Sequence, residues 1–125
     1  MEIEKDLLQI LMESGYLAGG YGFFAEAEVI FKGIMAARPE SEYPLIGLAV
    51  SKMNAGKNDE AVKILHKQAL KLNPESDLAR SFIGLALKLG GLNDESLTVL
   101  GEVVAAGRDE TAVKMARSLM EEIKG

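Results

Sequence analysis

The stretch Gly22-Phe23-Phe24-Ala25-Glu26-Ala27-Glu28-Val29-Ile30-Phe31 decides the architecture, because its pattern returns twice more along the chain. Gly56-Lys57-Asn58-Asp59-Glu60-Ala61-Val62-Lys63-Ile64-Leu65 lies 34 residues on, and Gly91-Leu92-Asn93-Asp94-Glu95-Ser96-Leu97-Thr98-Val99-Leu100 a further 35. Each copy opens on a glycine, places a small residue at Ala27, Ala61 or Ser96, and then a large apolar residue at Phe31, Leu65 or Leu100. Upstream of each glycine stands another small residue, Gly15, Ala49 or Gly84. One such column would be chance, but four columns with the same two offsets are an internal repeat.

The residue types have physical work to do at these positions. Small residues in two columns let paired helices approach closely, and the large residue fills the space toward the next repeat. The glycines mark turns, where a left-handed backbone costs them little. Asn58-Asp59-Glu60 and Asn93-Asp94-Glu95 are expected to cap the helices that follow and to place negative charge at their N-termini. Pro39 and Pro74 are expected to stop the second helices. Between the turns apolar residues recur at three and four, as in Leu7, Leu8, Leu11, Met12 and again in Val62, Leu65, Ala69, Leu72. After Gly107, Ala112, Val113, Ala116, Leu119, Met120 and Ile123 share one face, which predicts a last helix covering the exposed end of the stack.

Period and pattern together resemble the tetratricopeptide repeat, a helix–turn–helix unit of about 34 residues. The first repeat carries Leu11, Ser14-Gly15, Ala18, Phe24, Ala27, Phe31 and Pro39. The second carries Leu45, Leu48-Ala49, Ala61, Leu65 and Pro74, with Lys52 in place of a tyrosine. The third carries Ile83-Gly84, Leu87, Ser96 and Leu100, with Arg80 at the first large position and no closing proline. The resemblance implies an all-α fold, a right-handed superhelical solenoid of three helix–turn–helix repeats at about 8–41, 42–76 and 77–108. A capping helix at about 109–124 completes one domain over 1–125.

Composition narrows the function. The chain has 125 residues, a net charge of −5, no cysteine and one histidine. Without cysteine there is no disulfide framework, thiolate nucleophile or thiolate-held metal. An acidic balance argues against general nucleic-acid binding, which needs a basic surface. Met1-Glu2-Ile3-Glu4-Lys5-Asp6 mixes charges of both signs and has no apolar run behind it, so no secretory signal is expected. No stretch approaches the ~20 apolar residues of a membrane span. The expected location is the cytoplasm. Gly19-Gly20-Tyr21-Gly22 follows a helix and lacks the Lys-Ser/Thr pair of a phosphate loop. His66 has no second histidine or nucleophile beside it, and the acidic pairs read as helix starts. No catalytic residue, cofactor or metal ligand is therefore assigned, and the chain is expected not to be an enzyme.

What remains is a binding surface. In the family the second, fifth, ninth and twelfth positions of the first helices line a concave groove. Carried over, these are Gln9, Met12, Tyr16 and Gly19; Tyr43, Ile46, Val50 and Met53; and Leu78, Ser81, Leu85 and Lys88. The set Met12, Tyr16, Tyr43, Ile46, Val50, Met53, Leu78, Leu85 and Lys88 is apolar for a solvated groove, and such a surface marks an interaction site. Lys52, Arg80 and Lys88 are the expected rim charges. Met12, Tyr16 and Leu78 replace residues of the lysine–asparagine clamp that grips chaperone C-termini, which sets that subclass aside. The stretch from Gly15-Tyr16-Leu17 through Ala25–Gly33 to Arg38-Pro39 is similar to small type III secretion chaperones of the needle-subunit or translocator kind. That resemblance implies a protein partner, a small helical secretion subunit whose apolar stripe the groove would cover. The alternatives are an adaptor joining folded proteins and a self-associating repeat protein that pairs through its last helix, as a homo- or hetero-oligomer.

Overall fold

Residues 4–125 are described by a computed structural model, and among them all regular structure is helical. The reading of Met1-Glu2-Ile3 lies outside the described residues. Three antiparallel pairs follow one another: α1 (Lys5–Gly20) with α2 (Phe24–Ala37), α3 (Tyr43–Asn54) with α4, and α5 (Asp77–Leu89) with α6 (Asn93–Ala106). Helix α4 is continuous through Asn58–Ile64, a π turn at Leu65–Ala69 and a last turn at Leu70–Leu72. Helix α7 (Glu110–Lys124) lies across α5 and α6 and ends the stack. Each pair also packs on the next, so the core continues from repeat to repeat. This is the all-α, tetratricopeptide-like solenoid that the repeat implies.

The turns inside the pairs share one backbone solution. Gly22, Gly56 and Gly91 have φ of 86°, 77° and 81°. The residue after each glycine donates its N–H back into the preceding helix, Phe23 to Ala18, Lys57 to Lys52 and Leu92 to Leu87, at 2.8–2.9 Å. These bonds close a Schellman motif, which satisfies carbonyls at the helix end. They also correct the expected caps. Lys57 and Leu92 occupy the cap positions, so Asn58 and Asn93 are already the first helical residues and make no side-chain cap. Asp59, Glu60, Asp94 and Glu95 do sit in the first turns, where they complement the helix dipole. Side-chain caps occur instead where α5 and α7 start, with Ser76 accepting from the Ala79 N–H and Asp109 from the Ala112 N–H, both at 3.1 Å.

The large residue of each repeat is fully buried, and in the first and third repeats glycine makes room for it. The ring of Phe31 lies over Gly15 on α1 and over Gly47 on α3; a β-carbon at either position would overlap it. Leu100 uses the same device against Gly84. Gly47, on the next repeat, was not among the repeat columns, yet it makes the tighter half of the Phe31 seat.

Polar clasps fasten the later repeats. Glu42, just before α3, accepts hydrogen bonds from Asn73 at 2.9 Å and from the Ser76 hydroxyl. Asp77, at the start of α5 and only 2% exposed, accepts from Arg108 through both carboxylate oxygens at 2.8 and 2.9 Å. In both clasps the acid reaches 31 residues forward to the segment that leads into the next helix. Leu8 stands at the corresponding place in the first repeat and can form no such bond. The Arg108 hydrogen bonds hold the Asp77 carboxyl below the usual aspartate range, against the opposing effect of burial.

Two outcomes follow. Gly47→Ala is expected to cost about 2 kcal/mol through overpacking, and Phe31→Leu in the same chain to recover part of it, as measured by urea unfolding. Asp77→Asn is expected to lower stability at neutral pH by about 2 kcal/mol, the scale of hydrogen bonds to a charged group. Because the native carboxyl titrates below its unfolded value of about 4, the contribution is complete above that pH and vanishes as pH falls through the native value. Unfolding curves of the native and Asp77→Asn chains should therefore converge in that acid range.

Candidate partner-binding surface

Helices α1 and α3 run side by side and touch closely at one end. A β-carbon on Gly19 would lie 3.2 Å from the Ser51 hydroxyl, so α1 and α3 meet with almost nothing between them there. Toward their N-termini they part, and a pocket of about 430 Å3 opens between them. Met12, Tyr16 and Gln9 form its α1 wall, Tyr43 and Pro44 its α3 wall, and Ile34 closes the floor. Tyr16 stands edge-on to Phe31, ring centroids 5.3 Å apart and planes at 73°. The wedge that holds the first two repeats together therefore also positions a wall of the pocket. Burial of its ring raises the Tyr16 hydroxyl above the ordinary phenol range. The Tyr43 side chain remains 57% exposed.

Of the nine residues expected in the groove, three, Met12, Tyr16 and Tyr43, come together in this mouth. Two do not line an open surface at all. Ile46 is 2% and Met53 7% exposed, both inside the largest core cluster. The reason is the position of α3, which is packed by α1, α2, α4 and α5 at once and has few faces left for solvent. Val50, Leu78 and Leu85 are half-buried against the same core. Lys88 is ion-paired to Glu122 on α7 at 3.2 Å.

The other expected rim charges are likewise occupied inside the chain. Lys52 bridges Glu28 at 3.3 Å and Glu60 at 3.8 Å, and its hydrogen bond to Glu28 is the main reason that carboxyl lies below its usual range. Arg80 is held by Asp77 and by the Pro74 carbonyl. Charge at these three positions fastens helices. The residues that the family positions missed in the mouth are Lys5 and Leu8, one turn before Gln9 and Met12, together with Ile34, Ser41 and Pro44. The spacing of Leu8, Met12 and Tyr16 on α1 was a visible signal for the first part of that wall.

A second exposed apolar surface lies on the outer side of the first pair. Leu7, Ile10, Leu17 and Tyr21 follow helical spacing along α1, and Val29 on α2 is 72% exposed. The last helix is the opposite case: Ala112, Ala116 and Leu119 are buried against α5 and α6. Self-pairing through that face, one of the expectations from sequence, is thereby corrected, since the chain's own core uses it. Among the described residues no cluster of three or more metal-ligating side chains occurs, and no helix is long and apolar enough to cross a membrane.

No family model matches the chain, and no curated protein matches its sequence. Solved structures match it over nearly its whole length. The Yersinia enterocolitica type III secretion chaperone SycD, in complex with a peptide of the translocator YopD, superposes with a TM-score of 0.71, covering 99% of this chain and 97% of that one at 16% identity. The chain shares the SycD fold. A second SycD structure matches with a TM-score of 0.67 at 19% identity, covering 98% of this chain and 87% of that one. SycD in an alternative dimer gives 0.73 at 18%, covering 99% and 96%. At such identities the likeness to SycD is one of architecture, and the groove residues of this chain rest on their own geometry.

The division between mouth and core is testable. Met53→Glu places a carboxylate in apolar packing and is expected to cost more than about 4 kcal/mol or to prevent folding. Tyr43→Glu, at an exposed site, is expected to stay within about 1 kcal/mol of the native chain in urea unfolding.

Proposed function

We propose that this chain is a cytoplasmic type III secretion chaperone that holds an apolar segment of a small helical export subunit in the mouth between α1 and α3. One observation carries the reading. The SycD fold, seen elsewhere with a translocator peptide, here opens an apolar pocket walled by Met12, Tyr16 and Tyr43. Two aromatic rings and a methionine give large contact area at low entropic cost, and the thioether adapts to side chains of different shape. A self-assembling subunit exposes an apolar stripe that would otherwise polymerise. Seating part of that stripe here would block assembly by occupying it. A binding module of this kind needs no catalytic group, and we read the chain as a non-enzyme.

A second reading, self-association, is favoured by the unpaired outer face of α1 and α2. Among the described residues the first pair exposes Leu17, Tyr21 and Val29, whereas α7 covers the other end of the stack. The two readings are compatible, because the outer face and the mouth lie on different sides of α1.

The experiment is co-expression with a secretion subunit, followed by light-scattering mass of the purified complex. A complex of fixed stoichiometry that is lost in the Tyr16→Ala/Tyr43→Ala double variant, with its helical circular dichroism intact, supports the chaperone reading. Retention of the subunit by that variant would exclude the mouth as its seat. A mass of two copies for the chain alone, reduced to one by Leu17→Glu, would establish the self-association surface.

A further inference from the structure

The second helices of the three repeats are not equivalent. Phe31 and Ile34 are fully buried three residues apart on α2, as are Leu100 and Val103 on α6. On α4 the corresponding pair is Leu65 and Ala69, four apart. One residue has therefore been gained among His66, Lys67 and Gln68, and the π turn at Leu65–Ala69 is how the helix absorbs it. All three gained or displaced residues are exposed. A π turn is rare inside an α-helix and is frequent at functional sites.

This turn borders a pocket. The C-terminal ends of α2 and α4 and the start of α3 enclose about 570 Å3, floored by Met35, Leu45 and Leu72. Its rim carries Arg38, Lys67 and Lys71, and no acidic residue lines it. In a chain of net charge −5, two lysines beside one apolar floor with no acid in its lining are a local reversal. Among the described residues neither Lys67 nor Lys71 has an ion pair, whereas Lys52, Arg80, Lys88 and Arg108 all do. Lysines near a helix C-terminus ordinarily complement its dipole. The dipole does not account for the gained residue, nor for Leu72 being left half exposed on the pocket floor.

We infer that this pocket docks an acidic segment of a partner protein, seating one apolar side chain on Met35, Leu45 and Leu72 while flanking carboxylates meet Lys67 and Lys71. Charge complementarity selects the occupant: a basic rim attracts acid and repels cations, and the floor rewards an apolar side chain between the acids. The site is separate from the mouth between α1 and α3. Ser41 borders both, so the loop joining α2 to α3 is the wall between them.

The test is amide NMR of the 15N-labelled chain titrated with a short peptide in which one leucine is flanked by aspartates and glutamates. The control peptide carries asparagine and glutamine instead. Shifts confined to the Met35–Leu45 segment and to Lys67–Leu72, a roughly tenfold loss of affinity in Lys67→Glu/Lys71→Glu, and weakening with salt are the expected results. Tyr16→Ala should leave this binding unchanged, which separates it from the mouth. Equal binding of the neutral peptide, shifts centred on α1, or no shifts at about 1 mM peptide would overturn the inference. So would binding to anionic vesicles that is lost in the same double variant while the peptide fails to bind.

Discussion

The seat of the Phe31 ring, between glycines on α1 and α3, is the constraint on which the rest of the solenoid depends. A large ring with 0% exposure needs room on two neighbouring helices, and only residues without a β-carbon provide it there. The distance between the first two repeats follows from that fit. Because Tyr16 leans edge-on against the same ring, the fit also fixes one wall of the mouth where a partner would enter. Packing and recognition thus share a side chain. Interiors are close-packed, so a shift of this ring would be felt in the pocket above it.

How much of this was legible in the sequence depends on the physics behind each feature. Repeat columns are written in residue size, and size is visible: Gly15, Ala27 and Phe31 announced both the pairing and the spacing of helices. The groove was read less well. Positions such as Ile46 and Met53 are apolar whether they face a partner or a core, and only the packing of four helices around α3 decides between the two. Likewise Lys52, Arg80 and Lys88 are cations in either role, and their intramolecular partners lie on other helices, far off in sequence. The misplaced caps have a narrower cause. A Schellman turn shortens the loop by one residue, so Asn58 and Asn93 fall inside the helices instead of before them. The gained residue in α4 was present all along, as the longer spacing from Leu65 to Pro74 than from Phe31 to Pro39. It acquires meaning only beside the pocket it borders.

Two concavities on either side of one loop, and the outer face of the first pair, go with a concentration of exposed large apolar side chains in the N-terminal half among the described residues. In the C-terminal half α7 lies over the last pair with its apolar residues turned inward and its charges outward. A repeat protein divided in this way has one end built for stability and one end built for contact.

The polar clasps give that division a mechanical side. Glu42 and Asp77 pin the second and third repeats to the segments that follow them, and charge-assisted hydrogen bonds hold one geometry. Where the first repeat has Leu8 in place of an acid, no clasp of this kind forms, and the Phe31 seat and the ion pair from Lys52 to Glu28 join it to its neighbour instead. The joint between the first and second repeats therefore rests on the shape of one ring and on an ion pair, whereas the later joints add directional bonds to buried or half-buried acids. The angle of α1 over α3, and with it the gape of the mouth, is accordingly set by how deeply one ring sinks between Gly15 and Gly47.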